Sequence, residues 1–150
     1  MSTSPVVLVT GATAGIGRAA ALAFGREGAR LVCSGRNAEA GEQLVAQLQA
    51  LGAQAVFVRA DVSDESQVEQ LVATAVARFG RIDIAVNSAG IEGTPGPLTG
   101  QTVESCRATL DANVLGTLLC LKHELRAMKA QKQGAIVNLS STMGSRGNAQ

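Results

Sequence analysis

The sequence predicts an α/β fold: a doubly wound parallel sheet of at least five strands. Three observations carry that expectation. Short, nearly continuous runs of Val, Leu, Ile and Ala alternate strictly with longer amphipathic segments, the order that βαβ crossovers produce. The short runs lack apolar/polar alternation, as strands buried on both faces do. The 17 glycines among 150 residues gather at the joints between the two kinds of segment, where the chain has to turn.

The first strand is predicted over Val6 to Thr10, and a helical pattern from Ile16 to Glu27 follows it and stops at Gly28. Arg30 to Ser34 reads as the second strand and Asn37 to Leu51 as the second helix, closed by Gly52. Ala55 to Arg59 is the third strand. The third helix spans Asp64 to Phe79, with Ser63 or Asp64 as N-cap and Gly80 as stop. Ile82 to Val86 forms the fourth strand, a Gly/Pro-rich loop spans Gly90 to Gly100, a long helix runs from Thr102 to Lys129, and Ala135 to Ser140 is the fifth strand. No repeat or linker divides the chain, so residues 1–150 read as one domain.

Composition narrows the function classes. The net charge is +1, from 13 Lys plus Arg against 12 Asp plus Glu, with 46% hydrophobic and 17% charged residues. That balance supports a packed core. With no basic cluster, nucleic acid and anionic membranes are not expected partners. The apolar runs fall well short of the ~18 residues a spanning helix needs, and Met1 to Pro5 carry no export signal, so a cytoplasmic location is expected. Cys33, Cys106 and Cys120 are odd in number and widely spaced. They suggest neither disulfides nor a metal site and are read as small core hydrophobes. His123, beside Lys122 and Glu124, is assigned to a solvated helix face with no role.

The run Thr10-Gly11-Ala12-Thr13-Ala14-Gly15-Ile16-Gly17 lies where the first strand gives way to the first helix, the setting that makes a glycine pattern a phosphate-site candidate. Gly11 permits a sharp turn. Gly15 leaves room for a pyrophosphate to approach backbone N–H groups at the positive helix end, and Gly17 allows close packing of helix on sheet. A glycine-rich turn serving packing alone is the other reading. At the end of the second strand the chain reads Ser34-Gly35-Arg36, without the acid that an NAD ribose site usually carries. Arg36 can pair with a 2′-phosphate through its guanidinium fork, which favours NADP over NAD; an exposed residue opening the second helix is the other reading.

The T-G-x-x-x-G-x-G spacing resembles that of the short-chain dehydrogenase/reductase family. Further matches follow in the family's order: Asp61-Val62, Asn87-Ser88-Ala89-Gly90, Asn113 in the long helix, and Gly134 to Ser141 along the fifth strand. The resemblance implies a Rossmann-type dinucleotide-binding domain over residues 1–150 that is incomplete on its C-terminal side, and an NAD(P)-dependent oxidoreductase acting on an alcohol or ketone. It places Thr13, Ala14 and Ile16 of the glycine loop on the cofactor; Ala14 stands where many NADP-preferring members have a basic residue, which keeps NAD open.

By the same resemblance, Asp61 and Val62 border the adenine, although Asp61 also fits a strand-end cap. Asn87 steadies the turn beside the cofactor, where Ala89 and Gly90 let it lie close, and Ser88 replaces a common second Asn.

Ser141 matches the serine that hydrogen-bonds the substrate oxygen, with a strand-end cap as the alternative. Asn113 matches the helix Asn that holds a water near the active-site lysine, and a mid-helix Asn suggests a buried polar task, with a solvent-facing Asn as the alternative. The family's Tyr-x-x-x-Lys has no counterpart: the chain holds no Tyr, and nine residues follow Ser141. The chain is therefore expected to be the N-terminal part of a longer enzyme, inactive alone. Homo-oligomers, dimers or tetramers formed partly through the long helix, are implied as well. A non-catalytic nucleotide-binding or interaction protein is the competing reading. A methyltransferase with a similar sheet leaves the Ser141 segment and the glycine loop without a reason to occur together.

Overall fold

A computed structural model describes residues 4–144; Met1 to Thr3, part of the segment searched for an export signal, lie outside them. The strands are β1 (Val6–Thr10), β2 (Arg30–Gly35), β3 (Ala55–Arg59), β4 (Ile84–Asn87) and β5 (Ala135–Asn138). The helices are α1 (Gly15–Arg26), α2 (Ala38–Ala50), α3 (Glu65–Phe79), α4 (Val103–Leu110) and α5 (Gly116–Gln131). The predicted long helix is α4 and α5 joined by a π-helical turn over Asp111–Leu115.

The sheet order is β3-β2-β1-β4-β5 and every pairing is parallel. This is the Rossmann-type doubly wound order, and strand order reverses between β1 and β4. All five residues of β1 are buried, as the uninterrupted Val-Val-Leu-Val run requires. Val7 and Val9 join Ala21, Leu44 and Leu48 on the face covered by α1 and α2. Leu8 and Val32 join Leu71, Ala75 and Met128 on the face covered by α3 and α5.

Capping chemistry sets the helix starts. Asn37 accepts from the Ala40 N–H, Asp64 from the Ser66 and Gln67 N–H groups, and Thr102 from the Ser105 N–H. Gly80 closes α3 at φ 82°, a left-handed position that side chains resist. The ends β4 and β5 differ from expectation. Pairing begins at Ile84, because the Asp83 carboxylate takes the Val6 N–H at 2.9 Å and Gln131 takes that of Ile82. Pairing in β5 stops at Asn138.

No helix is long and apolar enough to cross a membrane among the described residues, and no group of His, Cys, Asp and Glu there could hold a metal ion. Cys33 and Cys120 are buried but Cys106 is exposed, correcting its reading as a core residue: α4 buries none of its side chains.

Candidate dinucleotide cleft

A crevice of about 560 Å³ opens at the carboxyl ends of β1 and β4, where the strand order reverses. Gly11, Thr13, Ala14, Gly15 and Ile16 form one wall, Arg36, Asp61 and Val62 a second, and Ala89, Gly90, Ile91 and Glu92 a third. Ten of the sequence-predicted residues thus meet in one cleft: Gly11, Thr13, Ala14, Gly15, Ile16, Arg36, Asp61, Val62, Ala89 and Gly90.

The glycines explain the loop's shape. Gly11 has φ 64°, and a Cβ there would stand 2.7 Å from the Ser88 carbonyl and the Ala89 nitrogen. Only a bare backbone lets the β1 and β4 ends approach this closely. Gly17 is buried against Gly11: a Cβ on it would strike the Gly11 carbonyl oxygen. It packs beneath the loop and does not line the crevice. Gly15, at φ 51°, is different, because a Cβ there would have nothing within 4 Å. It faces open space in the cleft.

The start of α1 stands apart from those of α2, α3 and α4. Ala14 occupies its N-cap with no side-chain hydrogen bond, and no acidic residue lies in the first turn. The first N–H groups of a helix need partners from outside it, and they carry the positive end of the helix dipole. At α1 no side chain caps them among the described residues, and Ala14, Gly15 and Ile16 line the cleft, an arrangement suited to an anion.

Asp61 is held by its own loop. Its Oδ1 accepts from the Ser63 hydroxyl at 2.7 Å and the Ser63 N–H at 3.0 Å, and the Gln67 amide oxygen accepts from the Asp61 N–H. Those bonds, with the nearby Arg36 guanidinium, hold its carboxyl below the usual range. The cap of α3 belongs to Asp64. Arg36 is exposed, and its carbonyl accepts from the Arg59 guanidinium at 3.2 Å.

The other predicted residues fall around the cleft. Asn87 is buried below it and donates to Glu124 and Asn138. Asn113 is exposed, so the solvent-facing alternative holds and the buried one is corrected. Its amide nonetheless clamps the cleft wall, accepting from the Ile91 N–H and donating to the Ile91 carbonyl, both at 2.8 Å. Asn113 lies within the π turn, and its carbonyl takes the Thr117 hydroxyl at 2.8 Å. Ser141 is exposed beyond β5 and outside the cleft lining, and its Oγ accepts from the Met143 N–H at 3.1 Å.

His123, expected on a solvated face, is 5% exposed, which corrects that reading, and its neighbour Glu124 is 0% exposed. The buried stripe of α5 runs Gly116, Leu119, Cys120, His123, Glu124 and Met128, a helical spacing visible in the sequence. Leu118 and Leu125, both more than half exposed, disguise it by placing apolar residues on the outer face. His123 lies 3.1 Å from the Glu65 carboxylate, which Lys122 also engages. Sequence reasoning also missed the clamp from Asn113 to Ile91, for which no sequence signal exists.

Comparison with known proteins agrees with this geometry. The family model described as short chain dehydrogenase matches residues 5–150. The chain is 39% identical over 142 residues to a 3beta-hydroxysteroid dehydrogenase of Mediterraneibacter gnavus, covering 95% of this chain and 51% of that protein. It therefore spans about half the length of such curated relatives. It superposes on an NAD+-bound xylitol dehydrogenase with a TM-score of 0.94 and 34% identity, covering 99% of this chain and 57% of the other. For an actinorhodin polyketide ketoreductase with NADPH, the TM-score is 0.93 at 35% identity, covering 99% and 58%.

Proposed function

The chain belongs to the short chain dehydrogenase family, an oxidoreductase family, and from that premise we propose that residues 1–150 form a dinucleotide-binding domain for NADP or NAD. The observation that carries the reading is the start of α1: no side-chain cap, no acid in the first turn, and open space at Gly15. Backbone donors and a dipole suffice for a diphosphate there, with no cationic side chain needed. Gly11, Thr13, Ala14, Gly15 and Ile16 would hold the diphosphate, with Gly17 supporting the loop from below.

Asp61 and Val62 would border the adenine. The Ser63 bonds keep the carboxylate of Asp61 ionised, so it can accept from an exocyclic amine. Ala89 and Gly90 would let the nicotinamide half lie against bare backbone, with Asn87 securing that strand end. Arg36 stands where a ribose 2′-phosphate would be read and favours NADP. Its neighbours Ser34 and Gly35 carry no acid to favour NAD.

When bound, the nicotinamide would give or take a hydride with a small-molecule alcohol or ketone. The protein's own work is positioning. Asn113 ties the α4–α5 helix to Ile91 at the cleft mouth, and Ser141 offers a hydroxyl for the substrate oxygen. The chain contains no Tyr, so no residue of it is assigned as proton donor. A cytoplasmic homo-oligomer completes the reading.

Titrating wild type and Arg36→Ala with NADP and NAD tests it. Loss of a charge-assisted fork is expected to weaken NADP about tenfold or more and to leave NAD nearly unchanged. Equal losses for both would remove the 2′-phosphate role, and no uptake of either nucleotide by folded wild type would remove the function.

A further inference from the structure

Asn87, at the end of β4, is the centre of a buried polar cluster below the cleft. Its Nδ2 donates to Glu124 Oε2 at 2.9 Å and to Asn138 Oδ1 at 3.0 Å. Both hydrogens of the amide nitrogen are then used. The amide oxygen is left toward Thr10, whose hydroxyl donates to it at 3.4 Å, and the Thr10 oxygen accepts from the Ala89 N–H at 3.5 Å. Ala89 lines the cleft. Side chains from α5, β5, β4 and β1 thus form one connected path from Glu124 to a backbone amide at the nucleotide wall.

Glu124 is wholly buried, and its Oε1 has no hydrogen-bond partner among the described residues. A carboxyl is a costly way to fill space, since an orphaned buried polar atom is destabilising. What it provides is an acceptor. An Asn amide fits its site in two orientations of similar shape, and neighbouring acceptors decide between them. With acceptors on both Nδ2 hydrogens, Asn87 must turn its oxygen to Thr10.

We propose that Glu124 is a positioning residue for the cleft: it fixes the orientation of the Asn87 amide and, through Thr10, holds the Ala89 N–H and the strand-end backbone in place. The link to cofactor binding rests on the reading that this cleft takes a dinucleotide.

The path is sensitive to protons. Burial pushes the Glu124 carboxyl up to about 7, against the lowering effect of the Asn87 bond, so it changes charge near neutrality. Few groups that titrate face it. On α5, the Cys120 thiol is pushed up to about 12 by burial and then by Glu124 itself. β1, β4 and β5 present the uncharged Thr10, Asn87 and Asn138. The packed helix α3 presents Val68, Leu71, Val72 and Ala75, with its Glu65 engaged by Lys122 and His123. No salt bridge among the described residues reaches Glu124, and an anionic ligand in the cleft disfavours its ionised form further.

The test is a pH titration of the backbone amide of Ala89 and the side-chain amide of Asn87 by nuclear magnetic resonance, from pH 5.5 to 9, on wild type, Glu124→Gln and Thr10→Val. Wild type should show both signals moving with one midpoint near 7. Glu124→Gln keeps an acceptor and should abolish both movements without loss of fold. Thr10→Val cuts the last link, so the Asn87 amide should still titrate while Ala89 falls silent. Signals that stay flat in wild type, or an Ala89 response that survives Thr10→Val, would overturn the proposal.

NADP affinity supplies a second readout. It should weaken severalfold in wild type between pH 6 and 8.5, a one-unit difference between free and bound midpoints giving about tenfold, and stay level in Glu124→Gln. Matching profiles in the two proteins would count against the positioning role. Absence of NADP binding at every pH, with the Ala89 titration intact, would remove the cofactor reading and leave the positioning role supported.

Discussion

β1 and β5 stand two places apart in the same sheet, yet all five residues of β1 are buried while three of the four in β5 are exposed. The contrast extends to the helices. α1, α2 and α3 each bury a stripe against the sheet, whereas α4 buries nothing and α5 leaves Leu118 and Leu125 outward. Every wall of the crevice belongs mainly to the buried half, being built from strand ends and the turns that follow them. Ser141 lies on the exposed flank. The crevice is thus shaped mainly by the buried half, and Ser141 lies outside its lining.

The largest test of that contrast removes core from the buried half. Leu8 is 0% exposed between two helix layers, and Leu8→Ala is expected to lower unfolding stability by about 3 kcal/mol, read by chemical denaturation. A loss below about 1 kcal/mol would mean that β1 is not the central support it looks to be.

Next in size is the pH dependence set by Glu124. Its carboxyl is raised by burial to about 7, above its value in an unfolded chain, so the folded state binds the proton more tightly. That contribution is fully present below the ordinary carboxylate range and is lost as pH rises through about 7. Glu124→Gln removes the titration, and thermal melts should show near-equal stability at pH 5 and a variant more stable by roughly 2 kcal/mol at pH 8. A variant less stable at pH 8 would contradict the sign. Asp61, whose carboxyl is lowered by the Ser63 bonds, works the other way, its contribution being lost as pH falls.

The smallest effect belongs to β5. Val137 is 52% exposed, so Val137→Ala should cost under about 0.5 kcal/mol. A loss matching that of Leu8→Ala would erase the distinction between the two strands.

Much of this was legible because it depends on local chemistry. β1 and β3 begin and end where the apolar runs do, Asp64 and Gly80 bound α3, and the glycine loop lies between β1 and α1. The polar types of His123 and Glu124 point to solvent, but their spacing puts both in the buried stripe with Leu119, Cys120 and Met128. Asn113 was misjudged for a different reason. A π turn shifts the register in mid-helix, and its partner Ile91 is 22 residues away in sequence. No periodicity encodes such a contact. The Glu124–Asn87–Asn138 cluster likewise depends on three elements meeting.

In the proposed function, a dinucleotide's diphosphate rests on the bare amides at the start of α1. Calorimetric titration of NADP and NAD into wild type and Ala14→Asp tests this most directly, because an aspartate at the extended N-cap position can cap the same helix N–H groups with its own carboxylate and repel a diphosphate. The account predicts saturable one-site binding to wild type that falls at least tenfold in a variant whose fold persists. Equal affinity in the two proteins would contradict it.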